Sequence, residues 1–331
     1  MLRVYHDEEA DLNEIEHEHI AVIGYGIQGR AQALNLRDSG LTVSIGNRDD
    51  EYAARARQDG FDVLDIEEAT SEATLVLLLI PDEAQPEVFA RHMQDELSPN
   101  SALVVAHGFS LRYNLIDVPD DVDVLLLAPR LPGRYVRDRF VAGSGVPAYV
   151  DVAQNATHRG WERLLALAKG IGATRAGAIA VSVNDETELD LFSEHFTFPL
   201  IFRALEIALE ELVAAGYPPE VAVMELHGSG ELGQILTRAA EVGLYKMLES
   251  DGSPACRYGV LTHRETVIDA QHLARDARRV IDRIRDGSFA DELIEDQRAG
   301  HPRLATLTAA SHALTLGDAE RRLRHLFGKE A

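Results

Sequence analysis

The sequence predicts an α/β protein in which a doubly wound parallel sheet is followed by an all-α region. In the first part, short uninterrupted apolar runs alternate with helical segments, as is typical of strands buried on both faces. In the second part, apolar residues recur at spacings of three and four, the period of a helix. A glycine-rich turn follows an apolar run near the start. We therefore predict two domains, 1–181 and 182–331.

The segment from His19 to Gly29 is a short apolar run that ends in a G-x-G-x-x-G turn. Gly24 permits the tight bend, Gly26 lets backbone N–H groups approach a pyrophosphate, and Gly29 allows the helix to pack closely on the strand. The N-terminus of the following helix favours negative charge. A predicted helix at 31–36 and a predicted strand at 41–45 complete a βαβ unit. We expect dinucleotide binding here rather than a chance glycine turn.

The next elements continue the alternation of helix and strand. We predict a helix at 51–58 and buried strands at 74–80, 102–106 and 122–128. Ligands of such sheets bind at the carboxyl ends of the strands, where Asp82, His107 and Arg130 lie. A lone histidine is more often structural than catalytic, but the position of His107 after a buried strand makes it an active-site candidate.

Long helical segments are predicted at 186–215, 219–247 and 262–286, and the first carries two carboxylates. Asp190 and Glu194 are four residues apart, which places them about 40° apart on one helix face. The alternative is a solvated acidic surface, where such a pair is only weakly unfavourable. The apolar neighbours favour an enclosed pair, and enclosed carboxylates suit Mg²⁺ or Mn²⁺.

A second acidic pair, Glu225 and Glu231, flanks a Gly228-Ser229-Gly230 segment. Six residues of unbroken helix correspond to about 240°, which would point the two side chains to different sides. Either only one of them reaches a site, or the glycines break or bulge the helix and redirect both.

Composition excludes several classes of protein. The formal charge is −23 and only three lysines are present, which makes nucleic acid an improbable partner. This acidity is typical of a high-salt cytoplasm or of a GC-rich genome. No apolar run is long enough for a membrane helix and no secretory signal is visible, so we expect a soluble cytoplasmic protein. The single cysteine, Cys256, fits a reducing compartment and is more readily an ordinary side chain than a nucleophile.

Short motifs along the whole chain identify a family resemblance. They are Val4-Tyr5, Ala10-Asp11-Leu12, the glycine turn 24–29, and segments 35–40, 81–83, 106–109, 168–172, 174–177, 188–194 and 211–217. With these motifs in this order, the chain resembles the ketol-acid reductoisomerases (acetohydroxy acid isomeroreductases) of the short, class I form, as a divergent member. The resemblance implies a Rossmann-type first domain and a knotted helical second domain that carries metal, substrate and dimer contacts.

The activity implied by this resemblance is a Mg²⁺-dependent isomerisation followed by hydride transfer. It converts 2-acetolactate or 2-aceto-2-hydroxybutyrate to 2,3-dihydroxy acids in valine and isoleucine biosynthesis. Two Mg²⁺ ions would hold the substrate oxygens and stabilise the migrating alkyl group, and NAD(P)H would then reduce the new ketone.

The resemblance also assigns roles to residues. It implies His107, Arg130 and Glu231 as catalytic residues, Ser253 as a substrate contact, and Asp190, Glu194, Glu225 and Glu231 as metal ligands. Residues that would contact the dinucleotide, beside the three glycines, are Tyr25, Ile27, Gln28, Arg48, Asp50, Asp82, Glu83, Ala84, Gln85 and Gly133.

The chain departs from the family pattern at several of these positions. Ile27 and Arg30 stand where the family usually has Ser and His, and Arg130 stands where it usually has Lys. The family spaces its second pair of glutamates by four, so Glu225 and Glu231 align only with a two-residue insertion, and Glu231 is the firmer match.

After the second strand the family places Arg and serines that hold the 2′-phosphate of NADPH, but this chain reads Arg48-Asp49-Asp50-Glu51. Three consecutive acids should repel a phosphate and can accept hydrogen bonds from a ribose 2′-hydroxyl. We therefore predict NADH over NADPH, with Arg48 stacking on the adenine.

Two other functions are compatible with the sequence. One is a paralogue that reduces a different 2-keto acid or imine without alkyl migration. The other is a non-enzymatic dinucleotide-binding protein. It is the least favoured, because dinucleotide binding alone would not require His107 and the metal-type carboxylates to be present together. By resemblance, we expect a homodimer or a larger homo-oligomer.

Overall fold

The structure is a computed structural model that describes residues 2–328. Met1 and residues 329–331, among them Lys329, lie outside the described residues. The chain divides into two compact units between Leu189 and Asp190. The boundary predicted after residue 181 lies just before the helix Val183–Phe192, whereas the two units meet inside that helix.

A nine-stranded sheet forms the centre of the first unit as described. In chain order its strands are β1 (Val4–Tyr5), β2 (His19–Ile23), β3 (Thr42–Gly46), β4 (Val63–Leu64), β5 (Leu75–Leu78), β6 (Ala102–Val105), β7 (Asp123–Pro129), β8 (Ala148–Gln154) and β9 (Ala178–Ala180). Their order across the sheet is β1-β9-β8-β7-β6-β5-β2-β3-β4. Strands β2 to β7 are parallel, as predicted, and the predicted doubly wound α/β architecture is confirmed.

The sheet is not parallel throughout, because β8 runs antiparallel to β7 and β1 antiparallel to β9. The helix after β7 packs on the first helix of the unit instead of returning the chain along the sheet. The backbone N–H of Arg130 donates to the carbonyl of Pro147 at 2.9 Å, so the chain re-enters the sheet at the edge where β7 ended. From there β8 can only run back beside β7.

Eight helices accompany the described strands. They are α1 (Ile27–Asp38), α2 (Glu51–Gln58), α3 (Ile66–Glu72), α4 (Gln85–His92), α5 (Phe109–Arg112), α6 (Gly133–Val141), α7 (Gly160–Gly170) and α8 (Val183–Phe192). The helix predicted at 51–58 is confirmed as α2. The strand predicted at 74–80 is shorter at both ends, since β5 spans Leu75–Leu78 and the ladder to β2 ends with the hydrogen bond from the Leu79 amide to the Ile23 carbonyl at 2.9 Å.

The second unit is helical as far as it is described. Its helices are α9 (Phe198–Ala214), α10 (Pro219–Val223), α11 (Glu231–Val242), α12 (Leu244–Asp251), α13 (Pro254–His263), α14 (Ala270–Arg285), α15 (Ser288–Arg298), α16 (Pro302–His312) and α17 (Thr315–Leu326). The single helical segment expected at 262–286 was wrong. Asp269 accepts hydrogen bonds from the amides of Gln271 and His272, both at 3.0 Å, and so starts α14 as a separate helix.

None of the described helices is long and apolar enough to cross a bilayer. The knot that the family resemblance implies stays a prediction.

Candidate active site

The glycine turn between β2 and α1 has the backbone geometry that the sequence predicts. Gly24 has a φ of 95°, in the left-handed region where only glycine is unstrained. A Cβ on Gly29 would lie 2.0 Å from the carbonyl oxygen of Gly24, so α1 can begin this close to β2 only with glycine there. Gly26 caps α1, and a Cβ on it would meet no atom within 4 Å. The turn is therefore an open cradle at a helix N-terminus.

The loop after β7 closes on this cradle from one side. A Cβ on Gly133 would lie 1.9 Å from the carbonyl oxygen of Ile27, and Gln28 Nε2 donates to the carbonyl of Leu131 at 3.0 Å. Gly133 is thus required for α6 to pack on α1. The side chain of Ile27 is 74% exposed beside the cradle.

Tyr25, predicted to contact the dinucleotide, has its side chain in the interior. Its ring packs edge-on against Phe61, and its hydroxyl donates to Asp59 Oδ2 at 2.8 Å. Burial and the hydrogen bond to Asp59 raise the pKa of the Tyr25 hydroxyl well above its usual range. Arg30 Nε donates to the same carboxylate at 2.7 Å. These contacts tie α1 to the end of α2, and they leave only the backbone of Tyr25 at the cradle.

The acids after β3 begin helix α2. Asp50 Oδ1 accepts hydrogen bonds from the amides of Tyr52 and Ala53, and Asp50 Oδ2 accepts one from Arg48 Nε at 2.8 Å. Burial would raise the pKa of Asp50, but the hydrogen bonds from Arg48 and the two amides outweigh it and lower the pKa. Asp50 is therefore an ionised N-cap, and Arg48 pairs with it across an exposed surface.

At the carboxyl ends of β5 and β6, His107 contacts the short turn Asp82–Ala84, which contains Glu83. His107 Nδ1 lies 2.5 Å from Asp82 Oδ2. Asp82 Oδ1 accepts from Gln85 Nε2 at 3.1 Å, and the same nitrogen donates to the carbonyl of Ile80. Gln85 is 3% exposed, and its Oε1 is buried without a hydrogen-bond partner.

Glu186 on α8 is the residue that the sequence interpretation missed. It is completely buried, and its two carboxylate oxygens accept hydrogen bonds from Arg130 at 2.8 Å and from the amide of Gly108 at 2.9 Å. A Cβ on Gly108 would lie 2.4 Å from Thr187 Oγ1, so glycine allows the turn after β6 to approach α8 this closely. In the sequence, the spacing of four residues between Glu186 and Asp190 was the signal that could have identified Glu186 as a site residue.

Glu186 also lies among ligand-type atoms. One of its carboxylate oxygens is within 4.8 Å of a ring nitrogen of His107, and Asp190 presents an oxygen at the same range one turn further along α8. Arg112 donates to Glu188 at 3.2 Å and holds the neighbouring turn of α8. The turn after β6 therefore fixes the helix that carries these acids.

One member of each predicted acidic pair lies in a π-helical turn, a feature that often marks functional sites. Glu194 lies in the π turn Ser193–Thr197 that follows α8. Glu225 lies in the π turn Met224–Gly228, and Gly230 then adopts a φ of 84° before α11 begins at Glu231. The helix is therefore interrupted between Glu225 and Glu231.

The other predicted positions lie in the second unit. Within residues 2–328, the distance test is met by one group of three ligand-type side chains, His107, Glu186 and Asp190. Ser253 caps α13 by accepting from the amide of Cys256 at 3.2 Å. Cys256 is exposed.

Comparison with known proteins covers almost the whole chain. Residues 14–177 match the family model for the NADPH-binding domain of acetohydroxy acid isomeroreductase. Residues 183–329 match the model for the C-terminal domain of ketol-acid reductoisomerase.

Two curated relatives and one solved structure agree with these matches. The ketol-acid reductoisomerase (NADP(+)) of Pyrobaculum calidifontis is 42% identical over 99% of this chain and 100% of its own length. That of Tropheryma whipplei (strain TW08/27) is 41% identical over 98% of this chain and 97% of its own length. An NADH-preferring ketol-acid reductoisomerase from an uncultured archaeon superposes with a TM-score of 0.93 at 32% identity, covering 98% of this chain and 99% of that one.

Proposed function

The chain belongs to the ketol-acid reductoisomerase family of NAD(P)H-dependent oxidoreductases, and we propose that it converts 2-acetolactate and 2-aceto-2-hydroxybutyrate to 2,3-dihydroxy acids with NADH and Mg²⁺. The observation that carries the proposal is the buried carboxylate of Glu186, clamped by Arg130 and the amide of Gly108 beside His107. A dinucleotide site alone does not need such a group, because a buried carboxylate without a chemical role is costly.

Two features support the fit of a dinucleotide. Gly26 leaves the space above the α1 N-terminus open, which suits a pyrophosphate. Gln85 Oε1 is a buried acceptor without a partner at the edge of the sheet, where a donor group of a cofactor can satisfy it.

The donor set supports the fit of a hard divalent cation. Glu186 and Asp190 present oxygens on one side of α8, and Glu194 follows at the π turn, so Asp190 and Glu194 would hold the metal with Glu186 close by. When bound, Mg²⁺ would lower the pKa of the substrate hydroxyl and stabilise charge on its oxygens. Glu225 and Glu231 stay proposed ligands of a second ion.

The protein's own residues orient this chemistry. Arg130 balances the charge of Glu186 while its guanidinium lies 4.8 Å from the centre of the Tyr149 ring, which limits its orientations. His107, whose Nδ1 lies 2.5 Å from Asp82 Oδ2, is the proposed proton-transferring group. The cradle for the dinucleotide and these groups all lie at the carboxyl edge of the parallel strands, so hydride donor and proton-transferring groups face the same substrate.

The preference for NADH rests on the charge after β3. Asp50 is ionised there, with Asp49 and Glu51 on either side. Arg48 pairs with Asp50 and Arg57 pairs with Asp49, so a 2′-phosphate would compete with carboxylates for these two arginines. The structural relative with a TM-score of 0.93 is NADH-preferring, whereas the curated relatives carry NADP(+) in their names. We expect kcat/KM to be at least about tenfold higher with NADH, and a clear NADPH preference would contradict this.

The variant Asp50→Ser tests whether the charge of Asp50 causes the preference for NADH. Serine keeps an N-cap acceptor for α2 and removes the charge, so stability should change little while kcat/KM with NADPH rises. An unchanged cofactor ratio would mean that Asp50 does not select the cofactor.

The second unit is proposed to pair with a second copy. Large apolar side chains are exposed on its helices; they include Phe198, Phe202, Ile207, Leu236, Tyr258, Leu304 and Leu307. A monomer rarely exposes this many, and a twofold partner with the same surface would cover them.

One assay tests the reaction. Purified enzyme with NADH is given 2-acetolactate with and without Mg²⁺, and in parallel a pre-isomerised 3-hydroxy-2-keto acid. Mg²⁺-dependent oxidation of NADH with acetolactate supports the proposal. Turnover of the 3-hydroxy-2-keto acid alone would instead identify a reductase without alkyl migration. Asp190→Asn should lower kcat with acetolactate by at least about 100-fold, because the proposed metal loses a charged ligand.

A further inference from the structure

Asp82, Gln85 and His107 form a hydrogen-bonded relay across the ends of two neighbouring strands. Asp82 Oδ2 lies 2.5 Å from His107 Nδ1, and Asp82 Oδ1 accepts from Gln85 Nε2 at 3.1 Å. Gln85 is only 3% exposed, and the same Nε2 also donates to the carbonyl of Ile80. Because both partners of Nε2 are acceptors, the amide group of Gln85 can face them in only one orientation.

We propose that Asp82 is a positioning residue that fixes the tautomer of His107, with Gln85 holding Asp82 in place. A carboxylate can only accept, so the neutral ring beside it carries its proton on Nδ1. Nε2 is then the nitrogen that accepts a proton and returns it during turnover. This rests on the proposed function, and it gives Asp82 a role different from the cofactor contact that the family resemblance implies.

The geometry of the elements supports this role. β5 and β6 are adjacent and parallel, so the residues that follow them meet at one edge of the sheet. Both side chains are about one-quarter exposed or less, 24% for Asp82 and 21% for His107, so water competes only weakly for their hydrogen bond. A base held by an oriented third group is the arrangement found in catalytic triads.

The test is Asp82→Asn in the full-length enzyme. The amide has nearly the same shape but can donate or accept, so it no longer dictates which ring nitrogen carries the proton. Side-chain ¹⁵N shifts of ¹⁵N-histidine-labelled protein, assigned with His107→Gln, should show Nδ1–H in the wild type and a shift toward Nε2–H in Asp82→Asn. We expect kcat to fall by at least about 100-fold and KM for NADH to stay within about threefold.

A matched control is available in the same unit. His92 Nδ1 also lies 2.5 Å from a carboxylate, that of Glu67, on the exposed surface. Glu67→Gln should change the shifts of His92 and leave kcat unaltered. Asp82→Glu, which keeps a carboxylate, should retain the Nδ1–H tautomer and recover part of the activity.

Two outcomes would overturn the inference. One is an unchanged tautomer of His107 in Asp82→Asn. The other is a rise in KM for NADH with kcat preserved, which would make Asp82 a cofactor contact only. The tautomer is measured without substrate, so a wild-type enzyme that does not convert acetolactate would disprove the proposed function, and the ¹⁵N shifts would still decide the role of Asp82.

Discussion

All seven residues of β7 in the first unit are buried, whereas Leu209 is the single buried residue among the seventeen of α9 in the second unit. The same contrast holds for α7, where eight of eleven residues are buried, and α14, where Ile284 alone of sixteen is buried. Both units have the apolar pattern of their elements, with continuous apolar runs in the strands of the first and spacings of three and four residues in the helices of the second. The first unit covers them with its own helices and strands, and the second leaves many of them exposed.

This difference separates two ways of stabilising a fold. Helices α1 and α7 pack on the sheet of the first unit and close a continuous core around β2, β5, β6 and β7. In the second unit one small cluster brings α9, α10 and α17 together around Leu209, Val223 and Leu323. If the proposed pairing of two copies forms, the surface buried in it would add to the stability of this small core.

The largest effect should come from the closed core. Leu125 on β7 is completely buried, so Leu125→Ala removes apolar contacts and leaves a cavity. We expect the free energy of unfolding to fall by about 2–5 kcal/mol in urea titrations. Val141→Ala at a 68% exposed site of the same unit is the control and should cost less than about 0.5 kcal/mol. Equal losses at both positions would mean that the core is not closed within the first unit.

A second comparison is between exposed apolar sites of the two units. Phe198 and Phe202 are four residues apart on α9 and are 49% and 61% exposed. Replacing both with Asp should weaken self-association by about 100-fold, or about 2.7 kcal/mol, because charges would be buried in the partner contact. Sedimentation velocity over a range of concentrations measures this. Val141→Asp should leave the oligomeric state unchanged, and unaltered self-association of the α9 variant would show that this face is not the contact.

The smallest effect is expected for the hydrogen bonds of Asp59 in the first unit and for the pH dependence of their contribution to stability. The hydrogen bond from Arg30, with a further one from Tyr25, lowers the pKa of Asp59. A lowered pKa in the folded protein stabilises it above the ordinary value of about 3.9, and that contribution is lost as the pH falls through the folded pKa. Asp59→Asn should therefore cost about 1–2 kcal/mol at pH 7.

The same variant predicts a pH trend. The difference in free energy of unfolding between wild type and Asp59→Asn should narrow below about pH 3.9, as followed by urea unfolding at several pH values. Asp49→Asn, at an 88% exposed carboxylate, should show no such difference. If the difference in free energy of unfolding between wild type and Asp59→Asn stays constant down to pH 3, the hydrogen bonds to Asp59 do not depend on its charge.

Several parts of the fold were predicted correctly because the signals are local. The apolar runs of β2, β5, β6 and β7 predict buried parallel strands, and the spacing of Gly24, Gly26 and Gly29 predicts the turn that the backbone confirms. The family resemblance, which depends on short motifs in order, was confirmed by the comparisons.

Other features could not be predicted, because they depend on residues far apart in the chain. The direction of β8 follows from α6 packing on α1, and no pattern inside β8 encodes it. Asp82 was predicted to contact a cofactor, and its contact with His107 is visible only once β5 and β6 are adjacent.

The sequence by itself determined the buried strands β2, β3, β5, β6 and β7, where the dinucleotide cradle lies, and that acids recur at helical spacing after residue 185. Only the tertiary structure decided which of those acids is enclosed. Glu186 and Glu194 look alike in the sequence, yet Glu186 alone is fully buried between Arg130 and Gly108. Burial and charge pairing depend on which elements meet in space, whereas periodicity depends only on neighbours along the chain.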